Sequence, residues 1–368
     1  MSNSLNLQEI DQEQALNLTK FFIQSQHNIF LFGRRGVGKM LDLETELPTP
    51  SGFVRLKNLK EGDRLFDEHG NVCNVIKLHP IDLTPISYKI VFDDGTIVNA
   101  CADHLWITYN KNERTNKLSP QVRSTKEIFE TLKIGSKRES NHSIKNTLPL
   151  NYEKKILPIH PYVLGCWLGD GNGDRGNIEC ADVDILNEIK KCGYDVHLIK
   201  SSINKSKSAN YRLGDVVDYY IDNYGLPHTT YALSKQIKEC NLLRNKHIPD
   251  IYLQSSFQQR LELLQGLMDT DGCCLKDGKL EFSNTNAKLA YQVQELILSL
   301  GIKSRIHRNE SWLKGKRCLD RYRIYFITKL SVFKLARKIA NLKKTDTQCA
   351  RNTHRYIVNI IPINSVPM

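Results

Sequence analysis

Apolar and polar positions change rhythm along this chain, and each rhythm predicts a different element. Between about Thr45 and Trp106 short runs alternate with period two, as in Cys73-Asn74-Val75-Ile76-Lys77 and Tyr88-Lys89-Ile90-Val91-Phe92. His-Gly and Asp-Asp-Gly turns separate them, the pattern of short β-strands. Residues 110–150 are polar and read as a connector or a DNA-facing excursion. Two later stretches share one pattern: Leu164-Gly165-Cys166-Trp167-Leu168-Gly169-Asp170-Gly171 and Leu264-Gln265-Gly266-Leu267-Met268-Asp269-Thr270-Asp271-Gly272 are apolar runs that contain glycine and close on Asp-Gly. Both predict buried helices, and their repetition roughly one hundred positions apart points to a duplicated domain. After the second helix, Lys303, Arg305, His307, Arg308, Lys314, Lys316, Arg317, Arg321 and Arg323 interleave with Ile306, Trp312, Tyr322, Ile324 and Tyr325. That alternation suits an antiparallel ribbon with one basic face laid in a DNA major groove, although a merely solvated basic face has the same composition. Lys205, Lys207, Tyr211 and Arg212 form a weaker counterpart in the first half.

Helices that meet through Gly165 and Gly266 would set Asp170 and Asp271 side by side at their C-terminal ends. Paired carboxylates of that kind hold divalent metal, with Mg2+ the natural ion for an oxygen donor set. For either motif alone, a core helix with an incidental Asp-Gly end explains as much; the repetition favours chemistry. Asp269 reads as a surface residue at the helix end.

Composition narrows the classes. The length of 368 residues predicts two or three domains, and the net charge of +12 favours an anionic partner, nucleic acid first. No apolar run is long enough for a membrane span and no signal-peptide core opens the chain, so the expectation is a cytoplasmic protein without membrane contact, in a bacterial or phage setting. Ten cysteines without a CxxC pair indicate neither a disulfide framework nor a zinc knuckle.

The first 39 residues have a different character. A helix-favouring stretch and the apolar strand Asn28-Ile29-Phe30-Leu31-Phe32 lead into Gly33-Arg34-Arg35-Gly36-Val37-Gly38-Lys39, which matches the G-x-x-x-x-G-K phosphate loop. Met40 then stands where a Ser or Thr would bind magnesium, and Pro48, Pro50 and Gly52 forbid the helix that should present the loop. Gly33, Gly38 and Lys39 are therefore vestigial nucleotide-binding residues, left where another element interrupts a P-loop ATPase.

That element resembles an intein. Thr45, Thr49 and Gly52, then Val54 to Asp63, resemble the amino-terminal splicing block, and Gly95 to Trp106 resembles the second block. The resemblance implies the all-β horseshoe (Hint) fold and assigns His104 to protonate the departing amide nitrogen, a role an imidazole suits near neutral pH. Outside that register, His104 reads as a core histidine packed beside Trp106. Cys101 stands where Thr is usual. Met40 replaces the Cys or Ser that ordinarily attacks, and a thioether cannot do so. The element is then either splicing-dead or of the class that lacks an amino-terminal nucleophile, whose Trp two residues after the block histidine is matched by Trp106. Arg355–Ile361 resembles the strand returning to the splicing domain, and the final splicing blocks are expected in a separate fragment acting in trans or to be missing.

The middle resembles LAGLIDADG homing endonucleases. Besides the two Asp-Gly helices, Asn245-Lys246-His247-Ile248-Pro249, Phe257, Arg260 and the run Phe282 to Ile302 match that family. The resemblance implies that Asp170 and Asp271 bind the metals and that Lys246 stabilises charge on the phosphate, where a solvated loop lysine is the plain alternative.

The expected architecture is α+β and multidomain: a host fragment at 1–39, the Hint domain and connector at 40–150, a pseudo-twofold αββαββα-type endonuclease at 151–345 and a truncated return segment at 346–368. The expected function is metal-dependent double-strand cleavage of an uninterrupted host-gene site by a monomer. The alternative is a nucleotide-binding protein with a regulatory or DNA-binding-only insertion.

Overall fold

The computed structural model describes residues 40–136, 138–199, 208–221, 227–313, 315–342 and 352–368. The phosphate-loop reading, with Gly33, Gly38 and Lys39, lies outside the described residues, as do Lys205, Lys207 and Lys314. The chain divides into two units, Met1–Lys145 with Arg355–Met368, and Asn146–His354.

In the first unit the period-two run Tyr88–Phe92 lies in the strand Ser87–Phe92, whereas of Cys73–Lys77 only Cys73 and Asn74 are in a strand. Glu46–Thr49 and Gly52–Arg55 form a hairpin; its turn closes where Thr49 Oγ1 donates to the Gly52 carbonyl at 2.6 Å, with Gly52 at φ 112°. Arg64–Phe66 and Val72–Asn74 form a second hairpin. A four-stranded sheet then runs in the order Ser143–Lys145, His354–Ile363, Ser87–Phe92, Ile97–Cys101. Its inner positions, Ile90, Phe92, Ala100, Ile357 and Ile360, pack with Ile128 and Leu132 into one core.

The polar stretch from 110 is not a loose connector. It folds into helices Lys111–Thr115 and Thr125–Glu130, each opened by a capping box (Asn110 with Glu113, Ser124 with Glu127). Arg114 donates to the carbonyls of Tyr109 and Asn141 at 2.6 and 2.7 Å, and Arg123 pairs with the buried Glu113. Caps and ion pairs hold this segment where apolar residues are few, so composition alone misreads it.

The second unit is built on Pro161–Asp170 and Phe257–Asp271, the first and second glycine helices. Pro161 stands at the first position of one, and a Ser256–Gln259 capping box opens the other. Tyr162, Leu164, Trp167, Leu168, Leu263, Leu264, Leu267 and Met268 are fully buried, each worth about 1.5–3 kcal/mol of burial. At their crossing the helices touch backbone to backbone. A Cβ on Gly165 would lie 2.4 Å from the Leu263 carbonyl oxygen, and one on Gly266 2.2 Å from that of Tyr162.

Beyond the glycine helices the two halves share one order of elements. Gly171 bridges to Ile178 as Gly272 pairs with Phe282. Each half then continues strand, helix, strand, strand: Ile178–Cys180, Val183–Lys191, Val196–Leu198 and Ala209–Leu213 in one, Leu280–Asn284, Ala287–Ser299, Ser304–Asn309 and Arg321–Phe326 in the other. In both sheets the last of these strands lies between the first and the third.

Candidate active site

Asp170 and Asp271 are the final residues of the two glycine helices. The next residues, Gly171 and Gly272, turn the chain into extended backbone, and each amide closes the last turn, on the carbonyls of Trp167 and Met268. A Cβ on Gly171 would strike the Trp167 ring at 2.4 Å, which explains the glycine. Both carboxyls are half-buried. Burial first, and then the charge of Asp271, pushes Asp170 up to about 6. Burial also raises Asp271, against the pull of Lys246 and of the Asn284 amide, which donates to its Oδ2 at 3.2 Å. Asp170 thus titrates within the field of Asp271, and the same two lysines, Lys246 and Lys338, act on both.

Those lysines occupy equivalent places. Lys246 Nζ donates to the carbonyls of Leu168 and Gly169 at 3.0 and 3.2 Å, at the end of the first glycine helix, and is not a solvated loop lysine. Lys338 Nζ donates to those of Met268, Asp269 and Gly272 at 2.8, 2.7 and 2.8 Å, at the end of the second. A cation at a helix C-terminus complements the macrodipole. Sequence reasoning found Lys246 and missed Lys338 and Asn284. The partners of Lys338 are backbone carbonyls more than sixty positions away, which no side-chain pattern reveals.

Asp269 corrects an expectation. It is 2 % exposed rather than on the surface. Its Oδ2 accepts from the Tyr162 hydroxyl at 2.9 Å and from the Lys334 amide at 3.1 Å, and its Oδ1 from the Leu335 amide at 3.4 Å. The carboxylate pins the first glycine helix and the segment carrying Lys338 to the second glycine helix.

The basic ribbon exists, with a smaller cationic face than its composition suggests. Ser304–Asn309 pairs with Arg321–Phe326 so that Arg305 faces Tyr325, His307 faces Arg323 and Asn309 faces Arg321. These share one face with Glu281 and Ser283, while Ser304, Ile306, Ile324 and Phe326 line the other. Arg323 pairs with Glu281 at 3.0 Å and Arg321 donates to Ser283 Oγ. Lys303 and Arg308 depart from the expectation. Lys303 precedes the strand and donates to the His354 carbonyl at 2.8 Å, and Arg308 has the opposite parity and is held by Asp320 at 2.7 Å. Arg317 also lies within 3.4 Å of Asp320, whereas Lys316 and Arg305 are exposed. In the first half Arg212 stacks over the Tyr231 ring, 5.2 Å from its centroid.

In the first unit Met40 lies against the strand Ile97–Cys101. Its carbonyl accepts from the Cys101 amide at 3.2 Å, and Leu41 bridges to Ala100. The tail joins them, with the Leu43 amide donating to the Pro367 carbonyl at 3.2 Å and Met368 exchanging amide–carbonyl bonds with Asp82. The His104 ring lies edge-on to Trp106, centroids 4.6 Å apart, and the indole N–H donates to Thr125 Oγ1 at 2.9 Å. Burial raises the Cys101 thiol. Cys101, His104 and Trp106 lie on one short stretch of backbone, and Met40 is hydrogen-bonded to its Cys101 end.

A β-rich unit interrupted by a duplicated α/β unit with paired helix-end carboxylates defines a composite class. Residues 258–340 match the family described as LAGLIDADG-like domain. A replicative DNA helicase DnaB of Mycobacterium intracellulare is 32% identical over 358 residues, covering 92% of this chain and 56% of that protein. The chain thus spans about half the length of that relative. A DnaB of Mycobacterium leprae (strain TN) is 38% identical over 80 residues, 22% of this chain and 13% of that protein. Among solved structures, the Msm DnaB1 intein splicing domain bound with zinc shares 32% identity over 24% of this chain and 62% of its own, at a TM-score of 0.20. Mesophilic variants of the homing endonuclease I-DmoI share 13% identity over 51% of this chain and 96% of theirs, at 0.31. These similarities support an intein with a nested LAGLIDADG-like homing endonuclease. Among the described residues no helix is long and apolar enough to cross a membrane.

Proposed function

We propose that the second unit is a DNA endonuclease that makes a metal-dependent double-strand break in an uninterrupted host gene, one encoding a DnaB-type replicative helicase. The observation that carries this reading is the juxtaposition of two half-buried carboxyls with two lysines at the ends of the crossed helices. The donors fit magnesium. Asp170 and Asp271 offer hard carboxylate oxygens, the donor type that suits this ion. A bound divalent ion would supply Lewis-acid stabilisation of the attacking and leaving oxygens. The chain's own residues do the rest. Asp170 and Asp271 would hold the ion, Lys246 and Lys338 would offset negative charge that builds on the phosphate, and Asn284 orients Asp271. Arg305, Arg321 and Arg323 from the basic sheet, with Lys316 from the hairpin between two of its strands, supply DNA contacts, and phosphate contacts make binding salt-dependent.

The first unit is proposed to be the splicing element, with His104 as the acid at the upstream junction and Trp106 holding its ring. Met40 supplies no nucleophile. The nuclease is proposed to act as a monomer, since one chain carries both acids. The test is incubation of the full chain with magnesium and DNA spanning the uninterrupted helicase-gene loop. Specific double-strand cleavage supports the reading, and intact DNA at every divalent-ion concentration contradicts it.

A further inference from the structure

The duplication carries a reciprocity that neither half shows alone. The helices Val183–Lys191 and Ala287–Ser299 come after equivalent strands and open on Asp182 and Asn286. Each N-cap side chain uses one atom on its own helix. Asp182 Oδ1 accepts from the Asp184 amide at 3.0 Å, and Asn286 Oδ1 from the Leu289 amide at 3.2 Å. The second atom of each reaches into the opposite half. Asn286 Nδ2 donates to the carbonyl of Lys246 at 2.8 Å, and Asp182 Oδ2 pairs with Arg337, the neighbour of Lys338. Each lysine in turn holds the end of its own half's glycine helix, where the acid of that half sits.

We infer that Asp182 and Asn286 are positioning residues that couple the two halves crosswise: the first half's cap sets Lys338, and the second half's cap sets Lys246. This deepens the endonuclease reading and rests on it for its consequence, which is that each cap governs the cutting of a different DNA strand. The two contacts differ chemically. The Asp182–Arg337 ion pair is part-exposed and salt-sensitive, whereas the Asn286 contact is a neutral hydrogen bond. The centre served by Lys338 is therefore the one whose rate falls first as salt rises.

Asn and Asp cap helices about equally well, so two exchanges separate coupling from capping. Asp182→Asn keeps the cap and removes the ion pair; Asn286→Asp keeps the cap and removes the donor. Lysine acetylation of the metal-free full chain, read by peptide mass spectrometry, reports lysine protection without DNA or metal. Asp182→Asn is expected to raise labelling of Lys338 several-fold and leave Lys246 unchanged, and Asn286→Asp to do the reverse, with melting temperatures near wild type. Strand-resolved cleavage of end-labelled DNA then gives about a tenfold slower cut on one strand for each variant, on opposite strands. Unchanged labelling in both variants, or both variants exposing the same lysine, overturns the coupling. Wild-type chain that leaves the DNA intact overturns the endonuclease reading instead, while the labelling still decides the positioning claim.

Discussion

At Gly165 the clash a side chain would create is with backbone, the Leu263 carbonyl oxygen at 2.4 Å and the Leu267 amide at 2.9 Å, and neither can move without parting the helices. Gly165→Ala is therefore expected to cost about 1–3 kcal/mol, the usual penalty of overpacking, measurable by urea unfolding of the full chain. Unfolding midpoints equal to wild type would show that the helices have slack. Asp170 gives a second residue-scale test. Because its folded value, about 6, lies above the ordinary 3.8, the fold disfavours its ionised form. That cost is present above about pH 6 and fades as the pH falls toward 4. Without divalent ions, Asp170→Asn should be more stable than wild type at pH 8 by about 1 kcal/mol after discounting for solvent screening, and the difference should close near pH 4. A variant less stable than wild type at pH 8 would mean that the carboxylate is structurally favourable. Asp269 shows why such distinctions resist reading from sequence. An acid two positions before another at a helix end is ordinarily solvated, and only the fold brings the Tyr162 hydroxyl and two amides to it.

At the scale of elements, the glycine helices were legible because close approach demands glycine and the turn after each acid demands it again. The basic sheet was legible as a strand pair but not as a set of free cations. Parity puts Arg308 on the other side, and Asp320 neutralises it together with Arg317. Exposed Arg305 is thus the better candidate for phosphate contact. Arg305→Ala is expected to lower DNA affinity and to reduce the slope of log affinity against log salt by about 1, while Arg308→Ala changes that slope little. Fluorescence anisotropy across a salt series distinguishes them, and equal slopes for both variants would discard the assignment by face. The polar stretch from 110 misled for the opposite reason: its order comes from capping boxes and buried arginine contacts, which composition does not register.

At the scale of the whole molecule the two units should answer pH differently. Buried His142 in the first unit is pushed down to about 4 by burial and then by the nearby Arg123. The fold therefore holds it neutral, and its contribution, complete above about pH 6.5, is lost as pH falls toward 4. Acidification from pH 8 to 5 is expected to destabilise the first unit by about 1–2 kcal/mol through this group. The same change relieves Asp170 in the second unit. Calorimetry of the full chain should show one transition moving down relative to the other, and parallel movement would argue against both assignments. The period-two pattern marked the strand Ser87–Phe92 but overran Val72–Asn74, and the twin motif marked the second unit's duplication. Lys338, Asn284, Asp182 and Asn286 were not legible, because each acts through a partner that sequence distance conceals.

The endonuclease reading turns on Asp170 and Asp271 acting together on one DNA site. The most direct measurement compares wild type, Asp170→Asn and Asp271→Asn in magnesium with DNA spanning the uninterrupted helicase-gene loop, scoring binding and cleavage separately. Both variants are predicted to bind as wild type does and to lose double-strand cleavage by at least about a thousandfold, the scale set by removing a group that stabilises transition-state charge. Cleavage that persists in both variants at the wild-type rate would contradict the shared role of the two acids.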